Sequence, residues 1–527
     1  MRRKESAPVF KPYVQDQISL LPPSYEEVIP PNHLVRTVNK AIDAIDLTPL
    51  EDQYKGGGTS SYHPRMMLKV LVYAYTQRIY TSRRIAKQLR ENIHFMWLSG
   101  GQQPDFRTLN GFRSSRMKAV IAEVFGAVIL YLSREGYVKL EQYFIDGTKI
   151  EANANKHKVV WAKRNRTYSQ RVRKQIRDLL EEIEAANASE EDEYRDRDLE
   201  EMGGNGSKDP SSEELKQQME EVNRRLREKG KPPKAARAAL RKLEKDSLPR
   251  LQRYEEQVKV LAGRSSYAKT DPDASSMRMK EDRGAEKPWP KPAYNIQMGT
   301  EDQFIVGYSV HTRAGDTACL IPHLQAMQPQ WNHLPGNMIA DAAYGSEENY
   351  AYLEEHGVGN YLKYNTFYQD THRYRKPEAL RKRQFQSDQW PYEEKTDSFI
   401  CPAGQRLAFV GASRHITENG YETNRRHYEC QACPDCLLKS ECTKAKRYRR
   451  MQVSFRLRAF RAQARQNLSS EEGRQLRAKR SVEVETGFGN IKQNMGFRRF
   501  HLRGKEKVNI EWGLICIAHN MQKMAAR

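Results

Sequence analysis

The chain has 527 residues, too many for one hydrophobic core, so we expect roughly two to four domains. Its 89 Lys and Arg outnumber its 67 Asp and Glu, and the net charge of +22 indicates either a polyanionic partner or simply a basic surface. No apolar run of about 18 residues occurs, and none follows the basic N-terminus, so we expect no membrane span, no secretory signal and a cytoplasmic location.

Residues 1–135 are predicted to form a helical N-terminal domain that binds DNA. Apolar residues recur at helical spacing in 62–75, and the basic segment 81–90 is expected to be a capped helix that follows a turn. Its exposed cations include Arg83, Arg84 and Lys87. This pattern is typical of a helix-turn-helix that reads DNA, and the alternative is an ordinary helical bundle with a solvated basic face.

The middle of the chain predicts an α/β domain with a mixed five-stranded sheet flanked by helices. The expected strands lie at 138–146, 294–298, 304–310, 337–341 and 361–363. Asp146 and Asp341 each end an apolar run. A carboxylate at the end of a buried strand is costly unless a cation or hydrogen bonds compensate it, so both are candidate metal ligands.

Two inserts are expected to interrupt this domain, and the first spans 157–290. It is rich in Arg, Lys and Glu, and its partial helical periodicity predicts long charged helices joined by an acidic and glycine-rich linker near 190–207. It is either a solvated helical hairpin or an arm for dimer contact or DNA.

The second insert, 365–478, is basic and rich in cysteine. It carries Cys401 and then a closely spaced group, Cys430, Cys433, Cys436 and Cys442. Four thiolates at this spacing suit a structural Zn²⁺, and Cys401 is able to replace one of them. Disulfides are the alternative, which a reducing cytosol disfavours.

A third acidic candidate, Glu485, lies in the helical part of the last segment, 479–527. It competes with Glu483, which points about 200° away on a regular helix, so only one of them faces a given site. Two strand-end aspartates and one helical glutamate form an all-oxygen site suited to Mg²⁺ or Mn²⁺. Such a site suits two-metal displacement at phosphorus.

Five segments carry a resemblance to a known family. The segments 62–75, 144–155, 339–345, 484–492 and 494–500 resemble bacterial insertion-sequence transposases of the DDE type. The resemblance implies an RNase H-like core, here in the parts 136–156, 291–364 and 479–527. It also implies two Mg²⁺ (or Mn²⁺) per active site, with Asp146 bridging them and Asp341 and Glu485 each holding one.

The same resemblance implies the partners. They are double-stranded DNA, both transposon inverted-repeat ends and target, and at least a second copy of the chain on that DNA, in the nucleoid. In related transposases a lysine at the position of Lys492 contacts DNA near the cleaved phosphate. The arginine that often stands four residues before the glutamate is Ser481 here, and Arg480 lies one place earlier.

A basic and aromatic segment follows Lys492. Its candidate DNA contacts are Arg498, Arg499 and Arg503, which suit a distorted or unpaired strand end. A loop with solvated arginines is the alternative. Two other functions stay open for the whole chain, a nuclease that only hydrolyses DNA and a non-catalytic DNA-binding protein of transposase descent.

Overall fold

A mixed six-stranded sheet forms the centre of the fold. The computed structural model describes residues 24–54, 60–191, 212–228, 234–279, 281–282, 289–331, 333–371 and 381–527. The strands of the described residues are β1 (Gln142–Glu151), β2 (Val159–Trp161), β3 (Ser266–Ala268), β4 (Ser275–Met277), β5 (Lys291–Glu301), β6 (Phe304–His311), β7 (Asn337–Ala340), β8 (Gly359–Leu362), β9 (Tyr392–Glu393), β10 (Ser398–Ile400), β11 (Arg406–Ile416), β12 (Glu422–Cys430) and β13 (Arg449–Val453).

Strand order identifies the type of sheet. It runs β4-β5-β1-β7-β8, and β6 pairs with the free side of β5. β1 is antiparallel to β5 and parallel to β7, which is in turn parallel to β8. Helices flank this sheet, so the predicted α/β class with an RNase H-like core is confirmed. The sheet has one strand more than predicted, because the three-residue β4 adds to the edge.

The first strand is longer than the sequence predicts. Its pairing with β7 stops at Ile145, but its pairing with β5 continues to Glu151. Gly147 to Ile150 stay extended because they still have an antiparallel partner on that side. The expectation that this strand ends at Asp146 is therefore wrong, and Asp146 lies where β1 loses one of its two neighbours.

Helices cover the sheet and build the N-terminal region. Among the described residues they are α1 (Tyr25–Val28), α2 (Leu34–Asp43), α3 (Thr48–Glu51), α4 (Pro64–Thr76), α5 (Ser82–Glu91), α6 (Ile93–Leu98), α7 (Phe106–Gly111), α8 (Met117–Arg134), α9 (Ala162–Glu191), α10 (Ser212–Glu228), α11 (Lys234–Lys242), α12 (Leu248–Leu261), α13 (Leu320–Trp331), α14 (Glu347–Glu355), α15 (Phe367–Thr371), α16 (Lys439–Cys442), α17 (Phe455–Ser469), α18 (Glu471–Arg480), α19 (Thr486–Gly489) and α20 (Lys505–Ala525).

The N-terminal helices and the sheet share one hydrophobic core. The middle and end of α4 are buried, and α20 packs between α4 and β6. Residues from both regions, such as Leu71, Ile305 and Ile515, belong to the same buried cluster. Gln522 Nε2 also donates to the Thr76 carbonyl oxygen at 2.8 Å. The N-terminal region is therefore fixed against the core.

The first insert has a hydrophobic core of its own. Helices α9, α11 and α12 pack together around residues such as Val172, Ile176 and Leu251. The antiparallel pair β2–β3 closes its root. Most of the linker expected near 190–207 lies outside the described residues.

The second insert contains a five-stranded antiparallel sheet that the sequence did not predict. Its order is β13-β12-β11-β10-β9, and one face packs around Trp390, Phe399, Leu407 and Tyr428. The longest strand, β11, is exposed along most of its length. It therefore lacks the regular apolar alternation by which a half-buried strand is recognised.

Candidate catalytic site

Strand pairing brings Asp146 and Asp341 side by side. Ile145 of β1 pairs with Ala340 of β7 in parallel register, and the two aspartates are the next residues on their strands. Parallel strands present their carboxyl ends at the same edge of a sheet, so the two side chains meet there. Asp341 Oδ1 also accepts from the Ala343 backbone N–H at 2.9 Å, which orients this carboxylate.

The guanidinium of Arg480, at the end of α18, lies against both aspartates. Its Nη2 is 3.5 Å from Asp146 Oδ2 and 3.9 Å from Asp341 Oδ2. The side chains of Arg480 and Asp146 are only 11% and 10% exposed, whereas that of Asp341 is 40% exposed. A positive charge is thus held where the two carboxylates converge, and it compensates the cost of burying Asp146.

A layer of buried polar side chains lies next to the aspartates. Asp316 Oδ1 accepts from Asn295 Nδ2 at 2.7 Å and from Gln297 Nε2 at 3.0 Å, and the Tyr344 hydroxyl donates to Gln297 Oε1. Burial raises the pKa of Tyr344 well above its usual value, and the negative charges of Asp316, Asp146 and Asp341 raise it further. Tyr344 therefore stays a neutral donor near all three carboxylates.

The glycine after Asp146 is required by this layer. A Cβ on Gly147 would lie 2.4 Å from Asp316 Oδ1 and 2.7 Å from Gln297 Nε2, both closer than real Cβ contacts allow. Asp316 therefore approaches the backbone beside Asp146 only because residue 147 has no side chain.

The two candidate glutamates have different surroundings. Glu483 is buried and accepts from the Gln303 backbone N–H at 2.7 Å in the β5–β6 turn. Burial raises its pKa despite that hydrogen bond and the nearby Lys479. Glu485 is exposed. Glu483 thus has a structural partner on the hairpin, and Glu485 is the candidate that is open to solvent.

A π turn changes the spacing on this helix. Residues Ser481–Glu485 form one π turn, and Asn490–Asn494 form a second one around Lys492. Hydrogen bonds in a π turn span five residues, so side chains five apart lie on one face. Arg480 and Glu485 are five apart. This separation equals the span of one hydrogen bond in the π turn that begins directly after Arg480.

Lys492 is engaged by an acidic residue. Its Nζ lies 2.6 Å from Glu281 Oε1. Burial raises the pKa of Glu281, but the hydrogen bond from Lys492 and the charges of Lys492 and Arg498 outweigh it, so the pKa is lowered overall. Arg498, Arg499 and Arg503 are exposed on the loop that follows, between this helix and α20.

The predicted DNA-contacting cations of the N-terminal domain all lie on α5. Arg83, Arg84 and Lys87 are exposed there, as predicted for a solvent-facing basic face. The Arg83 guanidinium lies over the Phe106 ring at 5.1 Å from its centroid, and Lys87 pairs with Glu91 at 3.6 Å. Of the three, Arg83 lines the same cavity as Arg499.

Five cysteines converge in the second insert. All are free thiols, and Cys401, Cys430, Cys433, Cys436 and Cys442 line one cavity of about 20 Å³. Burial raises the pKa of Cys430 to about 12, and the neighbouring Cys433 adds to the shift. The Arg449 backbone N–H donates to Cys433 Sγ at 3.4 Å. Cysteines up to 41 residues apart in the sequence thus come together, because they lie in or next to the β10–β11 and β12–β13 connections.

The described residues contain no ready-made metal-binding group. No three His, Cys, Asp or Glu side chains among them stand in an arrangement that would hold an ion. This includes the three candidate carboxylates, Asp146, Asp341 and Glu485, and the five cysteines of the second insert. Across these same residues, no helix has the length and apolarity needed to cross a membrane.

Several residues at the site were not singled out from sequence. They are Arg480, noted only as a departure from the family pattern, and Asp316, Gln297 and Tyr344. A signal for Gln297 is present in 294–298, where Asn295 and Gln297 alternate with apolar residues. Both are fully buried, so the polar face of this strand lies inside the protein. A sequence pattern that alternates polar and apolar residues normally predicts that the polar face is exposed to solvent.

Two protein families match parts of the chain. Residues 23–115 match the Transposase domain (DUF772), and residues 400–525 match the Transposase DDE domain. The second match contains Arg480, Glu485 and Lys492, whereas Asp146 and Asp341 precede it. No curated protein and no solved structure matches the chain. With its RNase H-like sheet and both transposase domains, the chain belongs to the insertion-sequence transposases of the DDE type.

Proposed function

We propose that this transposase binds the terminal inverted repeats of its insertion sequence, cleaves the DNA there and joins the freed 3′ ends to target DNA. The observation that carries the proposal is the pairing of β1 with β7, which sets Asp146 beside Asp341 with a cation, Arg480, between them. A site that already holds one positive charge between two carboxylates has the electrostatics that a metal ion needs.

The chemistry of these donors suits divalent cations with oxygen ligands, although the three carboxylates would have to move closer together to share an ion. Asp146 and Asp341 would hold Mg²⁺ or Mn²⁺, two per site, with Glu485 as the third carboxylate. When bound, these ions supply an activated nucleophile and offset the charge on the leaving oxygen. The exposure of Glu485 fits a ligand that completes its site as the DNA is bound.

The remaining residues position the reacting groups. Arg480 is close enough to both carboxylates to offset their mutual repulsion, and its guanidinium would also bind a DNA phosphate placed at this edge of the sheet. The Tyr344 hydroxyl, through Gln297 and Asp316, keeps the floor of the site rigid and hydrogen-bonded. A fixed polar floor suits catalysis that depends on positioning charges.

DNA contacts are proposed on two surfaces. Arg83, Arg84 and Lys87 would contact the transposon end through α5. Lys492, Arg498, Arg499 and Arg503 would contact the strand near the cleavage site. Lys492 has to exchange Glu281 for a phosphate, and a carboxylate held at 2.6 Å is a reasonable stand-in for that anion.

The test is cleavage and joining with purified protein, DNA that carries the repeats flanking the gene, Mg²⁺ and a supercoiled target. Asp146→Asn, Asp341→Asn and Glu485→Gln should each abolish both reactions and leave DNA binding within several-fold. Glu483→Gln is the matched control on the same helix and should stay active. Activity in Glu485→Gln together with its loss in Glu483→Gln would show that the wrong glutamate is assigned.

The same assay separates the alternative functions. A protein that nicks the repeat but never joins it to the target is a hydrolytic nuclease. One that binds the repeat without cutting is a non-catalytic descendant of a transposase. Paired-end joining further needs at least two active sites, so we propose a homodimer or larger assembly on DNA.

The second insert is proposed to hold a structural Zn²⁺. Five thiols around a cavity of about 20 Å³ provide a soft donor set with one ligand to spare. Cys430, Cys433, Cys436 and Cys442 are the first choice, and Cys401 is the alternative for one of them. The raised pKa of Cys430 describes the thiol without metal, and Zn²⁺ binding would have to release its proton.

A further inference from the structure

A basic groove of about 860 Å³ lies between the N-terminal helices and the loop after Lys492. One wall carries Arg83, at the start of α5, and Phe106 and Arg107, at the start of α7. The other wall carries Arg499 and His501. None of the described residues that line the groove is acidic. Two parts of the chain that are far apart in sequence therefore face each other with positive charge.

The two walls are fixed to each other. The Tyr80 hydroxyl, from the N-terminal side, donates to the Met495 carbonyl oxygen at 2.6 Å. The Tyr80 ring packs edge-on against Phe497, with ring centroids 5.2 Å apart, and lies 5.4 Å from the His501 ring. A buried hydroxyl with a partner and two ring contacts make a rigid floor. The groove is thus a preformed site rather than a gap between mobile parts.

A buried arginine supports the N-terminal wall. Arg113 is 3% exposed and donates to the Tyr80 carbonyl oxygen at 2.7 Å and to Ser82 Oγ at 3.3 Å. These contacts hold the start of α5 at the groove. Thr81 precedes that helix without a side-chain cap, so the first-turn N–H groups of α5 stay available to an anion.

The two exposed arginines on the N-terminal wall lie beside an aromatic ring, whereas His501 on the other wall contacts the buried Glu511, with its Nδ1 3.0 Å from Glu511 Oε1. The guanidiniums of Arg83 and Arg107 both contact the Phe106 ring, at 5.1 Å and 5.7 Å from its centroid. Across the groove, Arg499 Nε is 3.9 Å from Glu151 Oε1, at the limit of an ion pair, and such exposed pairs are weak enough to exchange for a phosphate. Like charges held together in this way are compensated when a polyanion enters.

We infer that the sugar–phosphate backbone of one DNA segment lies in this groove and is held by both walls at once, through Arg83 and Arg107 on one side and Arg499 on the other. The inference rests on the proposed function, since it assumes DNA as the substrate. It adds Arg107, Phe106 and Arg113 to the site, with Arg113 as a positioning residue. It also states that the N-terminal domain and the catalytic core grip the same few phosphates.

The test compares Arg107→Ala and Arg499→Ala with the wild type. Affinity for a duplex with the terminal repeat is measured by fluorescence anisotropy over a range of salt. Each variant should lower the slope of log K against log salt by about 1, as expected for one lost phosphate contact. Arg107→Lys and Arg499→Lys keep the charge and should keep the slope. Arg134→Ala and Arg414→Ala, exposed arginines outside the groove, are the charge-matched controls.

A scan with single methylphosphonates then locates the contacts. Each neutral linkage removes one phosphate charge, and positions that weaken wild-type binding but not the binding of Arg107→Ala mark the phosphates that Arg107 holds. The positions found for Arg107 and for Arg499 should coincide or be neighbours. Positions a full helical turn of about 10 base pairs apart, or unchanged slopes in both variants, would overturn the inference.

Two further outcomes are distinguishable. If the wild type binds the repeat no better than a random duplex and does not cleave it, the proposed function fails before the groove is tested. A single strand of the repeat is the second probe. If the variants weaken binding to duplex and single strand alike, one strand is the ligand. If they weaken only duplex binding, the groove holds the backbone of intact DNA.

Discussion

Removing Arg480 should loosen the strand edge that carries Asp146 and Asp341, the two aspartates proposed to be catalytic. At 3.5 Å, the Arg480–Asp146 attraction is roughly 4–5 kcal/mol for an effective dielectric constant of about 20. Desolvation of the buried ions cancels much of this energy. Asp341 is also 40% exposed and gains less. We therefore expect Arg480→Ala to cost about 2 kcal/mol locally, which corresponds to roughly 30-fold faster opening.

Hydrogen exchange of peptides that cover β1 and β7 is the suitable assay, because a chain with several domains has no single free energy of unfolding. Without divalent metal, these peptides should exchange roughly 30-fold faster in Arg480→Ala than in the wild type. Adding Mg²⁺ should restore most of the protection, because the ion replaces the lost positive charge. The wild type should gain less from Mg²⁺, since the guanidinium competes for the same place.

The matched control is Arg474→Ala on the same helix. Arg474 pairs with Glu471 at 2.7 Å in an exposed ion pair, and such pairs contribute less than about 1 kcal/mol. Unchanged exchange at β1 and β7 in Arg480→Ala would refute the idea that Arg480 neutralises the aspartates. Faster exchange that Mg²⁺ leaves unaltered would refute the idea that a metal ion takes its place.

Three further predictions follow from the contacts. Gly147→Ala should cost about 1–3 kcal/mol and abolish cleavage, because its Cβ would strike Asp316 and Gln297, whereas Gly489→Ala, with open space around it, should be tolerated; melting curves and the cleavage assay check both. The reduced protein should hold about one Zn²⁺ per chain by elemental analysis, and chelation should unfold the second insert; a metal-free protein with an unaltered melting curve would contradict this. Deleting 165–260 should leave a folded core that nicks one end but fails at paired-end joining, because the β2–β3 pair closes the root of the first insert; mass photometry of the DNA complex should then show loss of the dimer.

Sequence alone was enough to find the carboxylates on the sheet. Asp146 and Asp341 each follow an apolar run, and a buried strand that meets a carboxylate leaves a strong local signal. Their proximity was expected from the resemblance to DDE transposases, and in the structure it results from the parallel pairing of β1 with β7. The sequence did not predict the register in which β1 pairs with its neighbouring strands. The pairing that continues from Gly147 to Glu151 depends on β5, which is more than 140 residues away in the chain, and no local pattern reports it.

The polar layer and the second sheet were harder to predict for a shared reason. Asn295 and Gln297 are buried because Asp316 and Tyr344 satisfy them, and these partners come from other elements. β11 is a strand although most of it is exposed, because its backbone pairs with β10 and β12. In both places tertiary hydrogen bonds decide the structure, whereas hydrophobic periodicity measures only burial of apolar side chains.

In the helical segment that carries Glu485, the position of the arginine differs from that in the family pattern. Counted along the sequence, Arg480 is one residue too far from Glu485. The π turn Ser481–Glu485 absorbs that residue, so Arg480 still points to Asp146 and Asp341. A π turn is less favourable than regular α-helix and is found mostly at functional sites. Two contacts constrain this turn: Arg480, which directly precedes it, lies against the aspartates, and Glu483, in its middle, is held by the β5–β6 turn. Arg480 is therefore the arginine that lies against both aspartates, although the family pattern would place it one residue later in the sequence.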